Sequence, residues 1–426
     1  MKRVKTLILG GGLSGLSAAL FLGENADYLI LEKDNTAGGY CRTIANPVYV
    51  WDYAGHFYHF QTEKYQKLFA SMVEPEEIVY SKKNTKILYN GTLIEYPFQM
   101  NIHQLPKEDF IECLYDLYTK ESKDEYSSFL DMLYGKFGRA TTEKFLKPYN
   151  EKLYATDLQL LDKDAMGRFF PYADFDAIIR NMKGNRASTY NDEFLYLKKG
   201  TGYFIDKLVE KIPQDKILYN TTVKTIDIEN KTVTTEDGEV YGFDNLISSI
   251  PFNLFLRLSN NIEYQELSKK LSYNKVLVFN LGFDKKSPNF KKEHWIYFPD
   301  KKLNFYRIGF YDNILNQDKL SVYVEIGFSK NDQIDIEKEL KETLEGMKKV
   351  GIIDDDMKLM DSCTLVMDPA YVHISNTEKA TVENILQELR KKRIFNTGRY
   401  GSWTYNSMED CMTMAENITK TIKDEA

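Results

Sequence analysis

A glycine-rich segment near the N-terminus constrains the fold of this chain more than any other feature of the sequence. An apolar run at residues 5–9 leads into Gly10-Gly11-Gly12-Leu13-Ser14-Gly15, and an Ala/Leu-rich run follows at residues 16–22. This order predicts a strand, a tight turn and a helix: Gly10 permits the turn, Gly12 leaves room beside the backbone, and Gly15 lets the helix pack on the strand. Free N–H groups at the start of such a helix bind phosphate. The segment therefore predicts a dinucleotide-binding βαβ unit.

An acidic residue stands where such a unit binds a ribose. A second apolar run at residues 28–31 ends at Glu32, 17 positions after Gly15, and Lys33 follows. A carboxylate at this point can accept a hydrogen bond from a ribose hydroxyl. Glu32 and Lys33 are therefore candidate cofactor contacts.

The composition indicates a folded protein of more than one domain. The 426 residues suit two or three domains, and 43% hydrophobic with 28% charged residues argue against disorder. Aromatic residues make up 14% of the chain, and many of their rings should line a core or a ligand cleft. The net charge of −7 argues against a nucleic-acid partner, so an anionic ligand would need locally placed arginine or lysine.

Cysteine spacing and hydropathy indicate a reduced, cytoplasmic protein. Cys41, Cys113, Cys363 and Cys411 form no CxxC pair, so neither a zinc site nor a redox dithiol is expected. No apolar run reaches about 18 residues, which argues against a transmembrane helix. The basic N-terminus before an apolar run also suits a signal peptide. We disfavour that alternative because glycines interrupt the run and no small-residue cleavage site precedes Glu24.

Segments of nucleotide-binding character occur near both ends of the chain, which predicts domains inserted into the first one. Residues 1–60, 190–250 and 393–426 should form a discontinuous nucleotide-binding domain. Residues 106–185 show helical periodicity and predict a helical domain. Residues 61–105 mix a helix with short strands, and residues 251–390 alternate in hydropathy apart from a charged helix near 333–350. Residues 61–105 and 251–392 are therefore predicted to form an antiparallel-sheet substrate domain. The predicted fold class is α/β: a Rossmann-like domain with an inserted helical domain and an inserted antiparallel β-sheet domain.

Local signals place several element ends. Asn90-Gly91 predicts a hairpin turn. Pro106 followed by acidic residues predicts the start of a helix. Residues 394–400 are predicted to form a last strand, and residues 407–422 a last helix.

A second glycine pair, Gly38-Gly39, follows the second predicted strand and precedes Arg42 and Thr43. Paired glycines allow close approach to the backbone, and Arg42 and Thr43 can bond phosphate or ribityl oxygens. The alternative is a surface loop that carries an unrelated arginine.

Near the C-terminus, Gly398 and Arg399 follow a short apolar run and precede the last helix. This arrangement can bring N–H groups to a second point on the same cofactor. The alternative is an ordinary strand–loop–helix connection. Taken with the two earlier motifs, the segment favours FAD over NAD, because FAD is long enough to be held by both ends of the chain.

These motifs resemble those of a flavoprotein superfamily that includes amine oxidases, protoporphyrinogen oxidases and UDP-galactopyranose mutases. Further segments resemble the eukaryotic-type mutases. Residues 52–56 resemble the loop in which a Gly-His pair approaches the flavin, and residues 96–102 resemble the uridine-binding segment. Residues 295–299 with 305–307 resemble the diphosphate-binding strands, and residues 401–405 the C-terminal flavin segment. The resemblance covers nearly the whole chain, with residues 147–150 and 167–168 as anchors in the helical part.

The resemblance implies a glutathione-reductase-like FAD-binding fold and an isomerase that is active when its FAD is reduced, with NAD(P)H as a possible reductant. It implies that a UDP-sugar, expected to be UDP-galactose, changes between pyranose and furanose forms through an adduct with flavin N5. The galactofuranose product would serve cell-surface polysaccharide synthesis. The implied partner is this small molecule, with no nucleic acid and no membrane span, and a homo-oligomer is compatible with the sequence.

The residues that the resemblance implies fall into three sets. The catalytic set is His56, Arg168 and Arg307. The FAD contacts are Gly10, Gly12, Leu13, Ser14, Gly15, Glu32, Lys33, Gly38, Gly39, Arg42, Thr43, Gly55, His56, Gly398, Arg399, Ser407 and Met408. The substrate contacts are Tyr96, Phe98, Gln99, Asn150, Arg168, Trp295, Tyr297, Arg307, Tyr371 and Tyr405.

The chemistry of these side chains suits such a substrate. In an acidic protein, the planar forks of Arg168 and Arg307 would clamp a diphosphate, to which Tyr371 and Tyr405 could donate. Tyr96, Phe98 and Gln99 would form a uracil slot, and His56 would bond the flavin near N5. Ala54 stands where the mutases commonly have glycine.

Plainer alternatives exist for the same residues and for the function. The arginines suit ion pairs, the segment at Tyr96 suits an edge-strand turn, and His56 suits a loop histidine bonded to a carbonyl. The alternative enzyme is an FAD-dependent amine or porphyrinogen oxidase, which would have an apolar aromatic cage in place of the arginines. A non-catalytic FAD-binding protein is a third class.

Overall fold

The computed structural model describes residues 1–44, 46–120, 123–184 and 192–425. Its strands, in chain order, are β1 (Lys2–Leu9), β2 (Tyr28–Leu31), β3 (Thr43–Ile44), β4 (Trp51–Asp52), β5 (Ile78–Lys82), β6 (Thr85–Tyr89), β7 (Thr92–Glu95), β8 (Glu193–Leu197), β9 (Ile217–Leu218), β10 (Val223–Asp227), β11 (Thr232–Thr235), β12 (Val240–Ser248), β13 (Asn274–Phe283), β14 (Trp295–Tyr297), β15 (Arg307–Phe310), β16 (Ser321–Ser329), β17 (Leu359–Met367) and β18 (Ile394–Asn396).

The α-helices, in the same order, are α1 (Leu13–Leu22), α2 (Glu63–Ala70), α3 (Lys107–Thr119), α4 (Phe129–Thr141), α5 (Lys147–Tyr154), α6 (Phe175–Met182), α7 (Gly202–Glu210), α8 (Phe252–Leu258), α9 (Ile262–Lys270), α10 (Tyr311–Leu315), α11 (Ile336–Lys349), α12 (Lys379–Lys391), α13 (Gly398–Gly401) and α14 (Met408–Asp424). A π-helical turn at Thr142–Leu146 joins α4 to α5. Of the described helices, none is both long and apolar enough to cross a membrane.

The first sheet contains the predicted βαβ unit. Its strand order is β10-β11-β12-β1-β2-β9, and β18 also pairs with β12. Strand β1 lies parallel to both β2 and β12, and β18 is parallel to β12. Parallel strands present their carboxyl ends at one edge of a sheet, and ligands bind in the crevice there. The loops after β1, β2 and β18 therefore meet at that edge.

The second sheet has the order β17-β13-β16-β15-β14-β6-β7 and is antiparallel except where β14 pairs with β6. Its long central strands are largely buried: nearly every residue of β13 and the first six residues of β16 are shielded from solvent. Described residues between positions 107 and 182 are helical or irregular. The predicted fold class is confirmed: a mainly parallel sheet and an antiparallel sheet accompany a helical segment.

Most of the local predictions are confirmed. The β6–β7 hairpin turns at Asn90 and Gly91, which have positive φ values of 46° and 78°. Helix α3 begins directly after Pro106. Helix α14 begins after Ser407, whose hydroxyl caps the backbone N–H of Asp410.

One strand prediction was wrong, and several helices were not expected. The last strand ends at Asn396 instead of continuing to residue 400, because Gly398 has a φ of +77° and begins α13. Helices α8, α9 and α12 lie within residues 251–392 and pack against the first sheet through residues such as Phe252 and Leu389. The predicted domain boundaries at 185 and 190 lie outside the described residues, and the division into domains stays a prediction.

Asp312, at the start of α10, is a buried carboxylate that forms no ion pair with any described residue. Its Oδ1 accepts from the backbone N–H of Ser321 at 3.2 Å, and its Oδ2 has no partner in the described structure. Burial raises the pKa of Asp312 to about 7. The folded protein therefore favours the protonated form, and stability present below the unfolded pKa is lost as the pH rises towards 7.

We expect Asp312→Asn to remove that pH dependence. Between pH 4 and pH 8 the unfolding free energy of the variant should gain on the wild type by up to about 4 kcal/mol, since each pKa unit corresponds to about 1.4 kcal/mol. Urea unfolding of both proteins at a series of pH values measures this difference. A difference that does not change with pH would show that Asp312 ionises freely in the folded protein.

Candidate functional site

The glycine segment forms a tight turn at the carboxyl end of β1. Gly10 has a φ of +92° and donates its N–H to the carbonyl of Leu31 at 2.9 Å. A Cβ on Gly15 would lie 2.0 Å from the carbonyl oxygen of Gly10, so only glycine lets α1 approach β1 this closely. Gly12 differs, because its φ of −74° suits any residue and a Cβ there would come no nearer than 4.0 Å to another heavy atom.

Glu32 lies beside this turn. Its Oε2 accepts from the N–H of Gly11 at 2.6 Å and its Oε1 from the N–H of Asp34 at 2.9 Å. The side chain is buried at the carboxyl end of β2, whereas neighbouring Lys33 is exposed. The geometry suits an acceptor for a ribose hydroxyl at Glu32 and provides no enclosed site at Lys33.

The second glycine pair packs against the first turn. Gly38 donates its N–H to the carbonyl of Gly11 at 2.8 Å, which brings residues 38–39 alongside Gly12. Arg42 then bonds the carbonyl of Gly39 and lies 3.1 Å from the carboxylate of Asp34. Thr43 accepts from the N–H of Gly202 at 2.8 Å and donates to buried Asp52. In this structure Arg42 and Thr43 hold the loop in place, and their contacts with a cofactor stay a prediction.

The C-terminal segment reaches the same place. A Cβ on Gly398 would lie 2.1 Å from Oγ of Ser14, so the two predicted cofactor segments are in contact. The side chains of Asn396 and Thr397 are buried and have no hydrogen-bond partner among the described residues. Ser407 caps α14, which Met408 begins.

These features fit an FAD. The N-terminus of α1 has no side-chain cap, and the space beside Gly12 is open. Buried polar groups are normally bonded, so the unpaired atoms of Asn396 and Thr397 indicate a polar ligand at this edge of the sheet. When bound, FAD would supply redox and nucleophilic chemistry at its flavin ring.

His56 lies on the loop between β4 and α2. The hydroxyl of Thr201 donates to the carbonyl of His56 at 2.6 Å, and a Cβ on Gly55 would lie 2.3 Å from the hydroxyl of Tyr323. Burial, together with the positive charges of Arg399 and Arg307, lowers the pKa of His56 to about 4. The imidazole is therefore neutral at pH 7, and it lies near both arginines.

Ala54, two residues before His56, has a φ of +124° and is buried. A non-glycine residue in this region costs on the order of 1–3 kcal/mol. We expect Ala54→Gly to leave the unfolding free energy unchanged or raise it by about 1 kcal/mol, because relief of strain offsets the lost methyl group and the added chain entropy.

Ala415→Gly is the matched control for Ala54→Gly. Ala415 is equally buried but lies within helix α14, where glycine should destabilise by about 1 kcal/mol or more. Thermal or urea unfolding compares the two variants. Equal destabilisation would mean that Ala54 is not strained.

An aromatic cluster brings several predicted substrate residues together. The rings of Tyr96 and Tyr297 lie 5.1 Å apart, and Tyr149 of α5 meets Tyr297 edge-on at 5.2 Å. Trp295 donates its indole N–H to the hydroxyl of Tyr297 at 2.9 Å. Tyr96 donates its N–H to the carbonyl of Thr85 at 3.3 Å, and Thr85 of β6 pairs with Trp295 of β14, so the two segments converge.

Two arginines border this cluster. Arg307, on β15, forms a bidentate ion pair with Glu325 of β16, in which Nη2 lies 2.7 Å from Oε1. Arg399 lies over the rings of Tyr405 and Tyr371, with its guanidinium carbon 4.2 Å and 4.9 Å from their centroids. Those two rings are themselves stacked at 5.8 Å.

Arg399 has no carboxylate partner within the described part of the chain, and its Nε is buried without a hydrogen bond. An uncompensated guanidinium at a buried site favours an anionic ligand.

Other predicted residues lie outside the open part of the cluster. Phe98 is fully buried and stacks on Phe145 at 4.8 Å, so in this structure it supports the cluster from within the core. Gln99 donates to the carbonyl of Pro171, and Asn150 to that of Leu146. The uracil slot formed by Tyr96, Phe98 and Gln99 stays a prediction.

Arg168 is 39% exposed and lies 2.6 Å from the carboxylate of Asp410. It also lies over Phe169, whose ring meets Tyr405 at 5.0 Å. The ion pair matches the plainer alternative for this arginine. Its position beside Tyr405 keeps it close to the site, and its part in an anion clamp stays a prediction.

Sequence reasoning missed Lys83 and Glu325. The ammonium of Lys83 lies 4.6 Å from the ring centroid of Tyr96, and burial lowers the pKa of Lys83 to about 8. No sequence signal separates it from the many other lysines. Glu325 could have been suspected, because a lone acid in an apolar strand is seldom buried without a partner.

Comparisons with known proteins agree with this architecture. The family model described as flavin containing amine oxidoreductase matches residues 13–356. A crystal structure of a reduced UDP-galactopyranose mutase superposes with a TM-score of 0.92 at 24% identity, covering 99% of this chain and 96% of that one. A protein described as a protoporphyrinogen oxidase from Exiguobacterium sp. 255-15 gives 0.78 at 16% identity, covering 100% and 99%. A fatty acid isomerase from P. acnes gives 0.67 at 16% identity, covering 98% of both chains.

Proposed function

We propose that this chain, which belongs to the flavin-containing amine oxidoreductase family, is a mutase that interconverts the pyranose and furanose forms of a UDP-sugar, with UDP-galactose as its substrate. The family and the fold indicate a flavin-dependent enzyme. One of the similar structures is that of a UDP-galactopyranose mutase, and the site described above supports the same activity for this chain.

The observation that carries the proposal is Arg399. Its guanidinium lies over the stacked pair of Tyr371 and Tyr405, near His56, and no described carboxylate neutralises it. A diphosphate would supply the missing negative charge and would accept hydrogen bonds from the two tyrosine hydroxyls. An oxidase acting on an amine would gain nothing from a cation at this place, because an ammonium substrate would be repelled.

Reduced FAD, when bound, would supply the nucleophile for the anomeric carbon of the sugar. The residues of this chain would orient and neutralise the substrate. Arg307 and Arg399 would hold the diphosphate while it separates from the sugar and returns, which keeps the two fragments within reach of each other. The cluster at Tyr96 and Tyr297 would hold the base. Neutral His56 would contact the cofactor without offering a proton at pH 7.

The test uses full-length protein loaded with FAD. Under anaerobic conditions the flavin is reduced with dithionite or with NAD(P)H, UDP-galactopyranose or UDP-galactofuranose is added, and the products are separated by chromatography. We expect ring interconversion with reduced protein and none with oxidised protein.

Two other results would contradict the proposal. A reduced protein that converts neither UDP-galactose nor any other UDP-hexose or dTDP-sugar is not this mutase. Oxidation of an amine or a porphyrinogen with release of hydrogen peroxide would support the oxidase alternative. Activity with NADH or NADPH alone would identify the reductant. A cytoplasmic site of action stays a proposal.

A further inference from the structure

Lys152, near the end of α5, has an unusual set of partners. Its ammonium donates to three main-chain carbonyls: those of Phe298 and Asp300 at 2.9 Å each, and that of Phe305 at 2.5 Å. An ammonium has three N–H donors, so all of them are used. Burial lowers the pKa of Lys152 to about 7, and the negative charge of Asp300 opposes that shift.

The three carbonyls belong to the connection between β14 and β15. That connection carries Tyr297 at one end and Arg307 at the other. Its own closure depends on a bond from the N–H of Phe298 to the carbonyl of Tyr306 at 2.9 Å. Any displacement of this segment would therefore move both a ring of the aromatic cluster and the arginine beside it.

Helix α5 also contributes a ring to the cluster. Tyr149 meets Tyr297 at 5.2 Å and Tyr306 at 6.2 Å. The last turn of α5 is also tied to the second sheet, because Asn274 donates to the carbonyl of Leu153 at 2.5 Å. A Cβ on Gly327 would lie 2.2 Å from the carbonyl of Lys152, which shows how closely the helix end and β16 approach.

A second lysine links the same two elements at the surface. Lys301, within the β14–β15 connection, lies 2.6 Å from Glu151 of α5, and the two side chains are 65% and 25% exposed. Exposed pairs of this kind contribute little, because solvent screens them. The two lysines therefore join the same elements in opposite environments.

We propose that Lys152 is a positioning residue that fixes the distance between α5 and the β14–β15 strands, and so sets the site where Arg307 meets a nucleotide diphosphate. The inference rests on the proposed function for the identity of the ligand.

The experiment compares Lys152→Met with Lys301→Met in FAD-loaded, full-length protein. Methionine keeps the apolar stem of lysine but has no donors and no charge. We expect Lys152→Met to weaken UDP binding about tenfold, which corresponds to about 1.4 kcal/mol, and to raise hydrogen exchange at residues 298–306. Lys301→Met should leave both measurements within about twofold of the wild type. Lys152→Gln keeps two N–H donors, so its UDP affinity and its hydrogen exchange should lie between those of the wild type and Lys152→Met. The glutamine variant takes the place of the methionine variant if the latter does not fold.

The outcomes separate this proposal from the proposed function. Wild-type protein that does not bind UDP would contradict the function itself. Wild-type protein that binds UDP, together with a folded Lys152→Met or Lys152→Gln protein of unchanged UDP affinity and lower thermal stability, would show that Lys152 only stabilises the fold. FAD content should stay the same in every variant, because Lys152 contacts none of the predicted FAD segments.

Discussion

Replacing Arg307 with alanine should lower the free energy of unfolding by about 3–5 kcal/mol, because it leaves a buried carboxylate without its partner. The Glu325 side chain is only 3% exposed, and Arg307 is its ion-pair partner across β15 and β16. The same substitution should weaken UDP binding by about 1–3 kcal/mol, since a charge-assisted hydrogen bond to the diphosphate is lost.

The double variant Arg307→Ala with Glu325→Gln separates the two effects. Glutamine fills nearly the same volume without a charge, so the double variant should recover most of the lost stability. It should not recover UDP affinity, because the guanidinium is still absent. Urea unfolding gives the first quantity, and calorimetric titration of FAD-loaded protein with UDP gives the second.

Arg3→Ala is the control for the loss of an arginine. Arg3 pairs with Asp244 at the surface, where the two side chains are 56% and 55% exposed, so both measurements should change by less than about 1 kcal/mol. A double variant that binds UDP as tightly as the wild type would remove Arg307 from the substrate site. An Arg307→Ala protein of wild-type stability would mean that Glu325 is protonated or hydrated after the change.

The sequence was most successful in predicting local features, such as turns and helix starts, which depend on a few adjacent residues. The turn at Gly10, the β6–β7 hairpin and the start of α3 each follow from a few adjacent residues whose backbone angles are restricted. The strand predicted at residues 394–400 was too long for a related reason. Gly398 adopts a positive φ and starts a short helix, which an apolar run alone does not reveal.

Residues that act through distant partners could not be predicted in the same way. Lys152 bonds a carbonyl 146 positions away, and Lys83 meets a ring whose neighbours come from β14. The pairing of Arg307 with Glu325 depends on the register of two strands. Such contacts arise from the order of the strands and the packing of the helices, which cannot be read from local patterns in a single sequence.

Two alanine substitutions in the glycine turn should differ sharply in their effect on stability. Gly15→Ala should destabilise the protein by more than about 4 kcal/mol, because its Cβ would lie 2.0 Å from the backbone oxygen of Gly10 and α1 would have to move. Gly12→Ala should leave the stability of the FAD-free protein almost unchanged. Its φ of −74° suits alanine, and the nearest heavy atom would be 4.0 Å away.

The fold of the protein therefore does not require glycine at position 12, whereas a cofactor that passed beside the backbone there would require it. We expect Gly12→Ala to weaken FAD binding about 100-fold, or about 2.7 kcal/mol, as measured by flavin absorbance after titration of the FAD-free protein. Gly242→Ala is the control, because its Cβ would make an ordinary 3.5 Å contact with Arg3 far from the turn. If Gly12→Ala protein bound FAD as tightly as this control, the pyrophosphate would not cross at Gly12, and the turn would serve only to join β1 to α1.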